Sequence, residues 1–395
     1  MANTFVSFLD ATGDSIVSGP VPVESFVPRS ANLFPKMPNG INDEGWELWE
    51  FDGISADGET SVATSFYRDA RSLEEGGFHV DVNAIWPDGT KWGGELYFAQ
   101  SVISALGGDY PHDGQLHGVW KSGKEGGASA SFSISSDCSS AIVHFSSPGR
   151  VTGTIMIRAL GDNLVSRLPE TEGAALLSPS VHYLFPMGPA AATANLSFVM
   201  QDEASGTSAS ERQLTLDEDE AASGAMVRGW SCSAWPRFMI DAYYVCGKIG
   251  PYHLQLIRIV STAADGHKSH VAARLYCGNE LVCAANEAMD MATAETQDAP
   301  QRDTLVVDKV MDGKGVAGAF LDKNTGYLIE FRQGGGWRSR KRWHFELSHK
   351  RAWWSDYTSD RGTGKSGFIE TIRGGSDGEI GYQGVGGGGQ LQLPG

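Results

Sequence analysis

The alternation of apolar and polar positions sets the first reading of this chain. Between Trp46 and Gln100 lie three runs, WELWEFDG, SVATSFYRDA and GFHVDVNAIWPDGTKWGGELYF, punctuated by Asp-Gly turns. Side chains alternate between the two faces of a strand. In the first run Trp46, Leu48 and Glu50 share a face, which sets Glu50 on a mostly apolar surface. In the third, Phe78, Val80, Val82, Ala84 and Trp86 share a face, and His79, Asp81 and Asn83 look the other way. Phe66 and Tyr67 point to opposite sides of the second run. Such a sheet either lines a greasy pocket with fixed hydrogen-bonding groups or is an ordinary half-exposed sheet.

The same patterning runs through most of the chain. Seven Asp-Gly pairs, at Asp52, Asp57, Asp88, Asp113, Asp265, Asp312 and Asp377, suit the left-handed turns of tight hairpins, so the expected class is all-β. Residues 1–45 carry repeated prolines, which break helices and remove ladder donors, and read as an extended segment over a domain surface. Residues 101–110 read as a loop or short helix. Strands are expected at 118–121, 132–134, 141–145, 151–159, 181–185 and 195–200. The polar, acidic stretch 201–223 reads as a linker, with a strand allowed around Leu214 and Leu216. The domain change is therefore set at residue 222. Beyond it nine short strands are expected, from 233–245 to 368–372 and including 317–321. Their number suggests a closed or nearly closed barrel, since closure removes exposed edges. Residues 284–296 (AANEAMDMATAET) are the best helix candidate, and the glycine-rich end GYQGVGGGGQLQLPG reads as flexible.

Composition narrows the function. The net charge of −17 disfavours nucleic acid and anionic membrane as partners, because phosphate binding needs a basic surface. No stretch approaches the roughly 20 apolar residues of a membrane span. Five cysteines without CxxC spacing, and no signal-like start, point to free thiols in a reducing, cytoplasmic setting. The ten histidines form no HExxH or HxH pair, so no metal site is expected. No GxSxG elbow and no GxxxxGK[ST] loop occur. A carboxylate pair for glycoside hydrolysis, Glu47 with Glu50 or Glu95, stays open.

The series WELWEFD, SFYRD, NAIWPDG resembles the decalin-forming Diels–Alderases of fungal polyketide–peptide pathways. That family is lipocalin-like and distantly similar to carotenoid hydratases. Gly229-Trp230, Gly250-Pro251-Tyr252 and Lys365-Ser366-Gly367-Phe368 follow in the expected order. The resemblance implies two β domains: an N-terminal β-sandwich over 1–222 and a C-terminal lipocalin-like β-barrel over 223–395, with the pocket between them. It implies a linear polyenoyl tetramic acid, made by a polyketide synthase–nonribosomal peptide synthetase, cyclised to a trans-decalin without a cofactor. Asn83 and Tyr67 match positions facing the headgroup or diene. Glu50 matches an acidic pocket position that anchors Lys365 or the headgroup, and Lys365 a cationic donor to the tetramate oxygens. Trp230 and Trp343 match walls that fold the polyene, and Trp49 and Phe66 are expected to bind it. A pericyclic reaction suits a β-rich chain without catalytic motifs, since it needs no nucleophile, proton shuttle or metal. Two alternatives stay open: a carotenoid-hydratase-like enzyme acting on an isoprenoid, and a non-enzymatic lipid- or sugar-binding β protein.

Overall fold

The computed structural model describes residues 3–124, 126–161, 167–200, 210–217, 222–289, 301–335, 341–377 and 381–394. The chain divides into two compact units. The first comprises Met1–Ser55, Glu59–Glu172 and Leu184–Ala234, and the second Ala56–Gly58, Gly173–Tyr183 and Trp235–Gly395.

The chain opens with β1 (Thr4–Asp10), β2 (Trp46–Ile54), β3 (Ser61–Asp69), β4 (Phe78–Ile85) and β5 (Lys91–Phe98). Then come β6 (Gln100–Leu106), β7 (Gln115–Lys121), β8 (Ser129–Ile134), β9 (Ser140–Ser147) and β10 (Val151–Ala159). After the short pair β11 (Leu176–Ser178) and β12 (Val181–Leu184) follow β13 (Ala190–Met200), β14 (Ser210–Leu216) and β15 (Ser223–Ser231). In the first unit the hydrogen-bonded order is β1-β6-β7-β8-β9-β10-β13-β15-β2-β3-β4-β5, with β14 also paired to β13. This sheet folds back on itself as a sandwich, because its ends carry the large apolar side chains. Trp49 of β2 meets Trp120 of β7 at 5.9 Å between ring centroids, and Phe66 of β3 meets Phe132 of β8 at 5.1 Å. Ring pairs at such edge-on angles contribute beyond their buried area. Indole N–H groups tie the outer strands across: Trp86 donates to the Gln213 carbonyl at 2.6 Å and Trp92 to that of Val199 at 3.1 Å.

The second unit holds the one-turn helix α1 (Trp235–Phe238) and strands β16 (Met239–Ile249), β17 (Tyr252–Ser261), β18 (Ser269–Cys277), β19 (Glu280–Ala285) and β20 (Glu287–Ala288). It continues through β21 (Thr304–Val310), β22 (Gly326–Arg332), β23 (Arg342–Tyr357), β24 (Gly364–Ser376) and β25 (Tyr382–Gln392). The order β19-β18-β17-β16-β25-β24-β23-β22-β21-β20 makes a nearly closed barrel. Its seam is bridged by side chains: the Asp303 carboxylate accepts from the amides of Ala284 at 2.7 Å and Gly334 at 2.8 Å. Inward residues such as Leu254, Leu275, Phe331, Trp343 and Phe345 fill the interior.

Four local expectations are corrected. Residues 100–106 are strand β6, not a loop or helix, with Ser101, Ile103 and Ala105 turned to the core. Residues 284–288 finish β19 and form β20 instead of starting a helix, and 290–296 lie outside the described residues. Residues 317–321 form no strand. The glycine-rich end is not loose: β25 pairs along its length with β16 and β24. Its glycines permit close backbone approach, since a Cβ on Gly388 would stand 2.7 Å from the Tyr244 carbonyl oxygen. Of the linker stretch, 201–209 and 218–221 lie outside the described residues, and Leu214 and Leu216 belong to β14.

Candidate functional site

Register brings three of the predicted residues onto one face of the first unit's sheet. Glu50 of β2 pairs with Ser65 of β3, which pairs with Asp81 of β4. In the next row Asp52, Ala63, Asn83 and Gly93 stand side by side. Tyr67 lies opposite Leu48, with Gly229 of β15 beyond it. Glu50, Tyr67 and Asn83 therefore share a polar surface bordered by the small residues Ala63, Gly93, Ala225 and Gly229.

Within this surface the groups are differently engaged. Glu50 is 8% exposed and accepts a long bond, 3.4 Å, from the Ser65 hydroxyl. Asn83 is half-buried, and no described residue hydrogen-bonds its amide. Gly93 makes room for it, because a Cβ there would sit 3.0 Å from Asn83 Oδ1. Tyr67 is half-buried and its hydroxyl likewise has no partner among the described residues. Burial, with the nearby carboxylates of Asp81 and Glu50, pushes the phenol well above its usual pKa, so it remains a protonated donor. Two uncommitted donors thus stand near a buried carboxylate. Their chemistry is hydrogen bonding to an electron-rich oxygen.

Trp49, Phe66 and Trp230 do not share that surface. Alternation turns them to the opposite, core face, where each is essentially buried. Trp49 and Trp230 instead flank the guanidinium of Arg228, whose carbon lies 4.1 Å and 5.0 Å from their ring centroids. Arg228 Nη2 donates to Glu47 Oε2 at 2.6 Å, and Glu47 Oε1 accepts from the Met37 amide at 2.6 Å. This wholly buried ion pair takes Glu47 away from the carboxylate pairing considered for glycoside hydrolysis. Arg68 also lies on the core face, bonded to the Ser7 and Ser101 hydroxyls at 2.7 and 2.8 Å.

Lys365 and Trp343 belong to the second unit. Lys365 is part-exposed at the start of β24, 3.4 Å from Asp356, with its ammonium 5.9 Å from the Trp354 ring centroid. Trp343 is 3% exposed and packs in the barrel interior. That interior holds a polar cluster with no motif to announce it, since the β23–β24 register pairs His349 with Glu370. His349 Nδ1 donates to the Val316 carbonyl at 3.2 Å, so Nε2 presents its lone pair to Glu370 Oε1, 3.5 Å away. The Tyr243 hydroxyl donates to the same carboxyl oxygen at 3.2 Å. Complete burial raises Glu370 to about 8, and burial lowers His349 to about 4. The pair is a neutral acid beside a neutral imidazole, not an ion pair. A cavity of about 350 Å³ elsewhere in this unit is lined by Val306, Leu328, Glu330, His344, Glu346 and Arg373, and by none of the predicted residues. Among the described residues no cluster of three or more His, Cys, Asp or Glu could hold a metal ion, and no helix is long and apolar enough to cross a membrane.

Comparison with known proteins yields matches over the full length. The family model described as Diels-Alderase-like matches residues 1–394. Diels-Alderase gNR600 of a fungal species (strain NRRL 50135) is 54% identical, with 100% of each chain covered. Diels-Alderase phm7 of Pyrenochaetopsis sp is 44% identical over 99% of this chain and 98% of that one. The crystal structure of CghA with Sch210972 superposes with a TM-score of 0.89 at 33% identity, covering 98% of this chain and 99% of that one.

Proposed function

The chain belongs to the Diels-Alderase-like family of cycloaddition enzymes, and from that premise we propose that it converts a linear polyenoyl tetramic acid into a trans-decalin by an intramolecular [4+2] cycloaddition. Two carbon–carbon σ bonds form at the expense of two π bonds, and no atom enters or leaves. The uncatalysed barrier is largely the cost of folding a floppy polyene until diene and dienophile stack, a cost that binding removes in advance. As the reaction proceeds, electron density moves onto the carbonyl conjugated with the dienophile. Donors that tighten on that oxygen in the transition state lower the barrier.

The observation that supports this reading is the half-buried Asn83 amide, unclaimed by any described residue, on one sheet face with the Tyr67 hydroxyl and the Glu50 carboxylate. In this reading Asn83 is the principal donor to the headgroup carbonyl, with a contribution of about 2–4 kcal/mol. Tyr67, held protonated, supplies a second donor, and Glu50 anchors the headgroup. Lys365 stays a proposed cationic donor to the tetramate oxygens. A polyketide synthase–nonribosomal peptide synthetase is the proposed source of the substrate, and the reaction as written calls for no cofactor. The test is incubation of the purified chain with a linear polyenoyl tetramic acid, followed by diastereomer-resolved product analysis. One dominant trans-decalin, formed faster than without protein, is the expected outcome. A product mixture matching the uncatalysed one refutes the proposal.

A further inference from the structure

Between β3 and β4 the chain turns through residues 70–77. Gly77 closes the turn at φ +134°, where a Cβ would collide with the Phe98 carbonyl. The turn brings Arg71 and Ser72 onto His79, which is fully buried near the start of β4. The His79 imidazole stacks on the Tyr67 ring, with centroids 4.4 Å apart and planes at 16°. Arg71 Nη2 lies 2.6 Å from His79 Nε2. A guanidinium only donates, so Nε2 accepts, and the ring is neutral with its proton on Nδ1. That proton goes to Ser72 Oγ at 3.1 Å, with Asp69 Oδ1 3.5 Å away. Asp81 Oδ1 stands 3.7 Å from Nε2, and Glu95 Oε1 takes a further contact from Arg71 at 3.3 Å. Both ring nitrogens are engaged inside the protein. His79 has no proton to offer a substrate, and what it supplies is geometry.

We propose that His79 is a positioning residue for the cycloaddition: a buried, neutral imidazole, clamped by Arg71 and Ser72, that holds the Tyr67 ring in one plane so that its hydroxyl is presented in a fixed direction. This rests on the reading of Tyr67 as a site residue. Tyr67 lacks a hydrogen bond at its hydroxyl among the described residues, so stacking must supply what a bonded partner would otherwise do. Arg71, its guanidinium carbon 5.8 Å from the Tyr67 ring centroid, sets the imidazole tautomer and borders the phenol. A donor misplaced by about 1 Å can cost about 10²-fold in rate, which makes a ring that is held more effective than one that is free to swing.

The test compares kcat and KM on a polyenoyl tetramic acid for the wild type, His79→Ala, His79→Phe, Tyr67→Phe and the double variant Tyr67→Phe/His79→Ala. His79→Ala lowers kcat by about ten- to a hundredfold with KM changed by less than about twofold. His79→Phe, which keeps a flat stacked ring, recovers most of that loss. In the Tyr67→Phe background, removing His79 costs no further kcat, because its effect passes through the hydroxyl. Additive losses in the double variant, or a His79→Phe enzyme as slow as His79→Ala, overturn the proposal. A readout without substrate separates the two levels: 3-fluorotyrosine placed at position 67 of the full chain gives one narrow fluorine resonance in the wild type and a broadened or split one in His79→Ala. Identical resonances in both overturn the clamp. A narrow wild-type resonance with no turnover of polyenoyl tetramic acids defeats the functional reading instead, and the catalytic part of the proposal falls with it.

Discussion

Replacing Glu370 by Gln should make the second unit more stable at alkaline pH and nearly indifferent to pH through this position. The Glu370 carboxyl is 0% exposed, and its Oε2 has no hydrogen-bond partner among the described residues. Its other oxygen meets the Tyr243 hydroxyl and the lone-pair nitrogen of His349. An ionised carboxylate here would face that lone pair with a single donor to offset it. Burial accordingly raises the group from its ordinary 4.5 to about 8. Between those two pH values the folded protein holds one proton more than the unfolded chain, so stability falls as pH rises. At 1.36 kcal/mol per pH unit the loss reaches about 5 kcal/mol once pH passes 8, and vanishes below 4.5. That is comparable with the whole stability of many domains. Urea unfolding of wild type and Glu370→Gln across pH 5 to 9, with amide exchange read in β24 and β25, measures it. The two stability curves should diverge steadily up to pH 8 and run parallel above it. Parallel curves throughout would show that Glu370 is ionised in the fold and refute the neutral-pair assignment.

Three further outcomes are expected. Asn83→Ala should slow single-turnover cyclisation by about 10²–10³ while leaving the melting temperature and substrate affinity close to wild type; an early-melting variant that, where folded, cyclises at the normal rate returns Asn83 to a structural role. Glu47→Ala should destabilise the first unit by about 3–5 kcal/mol, because it strands the fully buried Arg228 guanidinium; thermal melting checks this, and an unchanged melting temperature counts against it. Turnover should survive exhaustive chelation and desalting, and activity lost on chelation and restored by one particular metal ion would sink the cyclisation mechanism as written.

Much of this protein is written in local pattern. Alternation within β2, β3 and β4 separates Glu50, Tyr67 and Asn83 from Trp49, Phe66 and Val82 before any pairing is known, because side-chain direction in a strand depends only on position parity. The Asp-Gly turns and the short alternating runs set the all-β class in the same way. Parity cannot say which face meets the core, and there the expectations split. Trp49 and Phe66 suggest pocket walls, yet they pack against Trp120 and Phe132, residues more than fifty positions away. Trp230 joins them because β15 pairs with β2 and sets Arg228 between two indoles. The glycine-rich end reads as loose on composition and becomes β25 only because the neighbouring backbones of β16 and β24 approach closely enough to exclude a Cβ. His349 and Glu370 carry no motif, and the β23–β24 register alone makes them a neutral pair. Side-chain direction is a property of one strand and could be read from the chain, whereas register, burial and protonation belong to pairs of strands distant in sequence and were decided only by the folded structure.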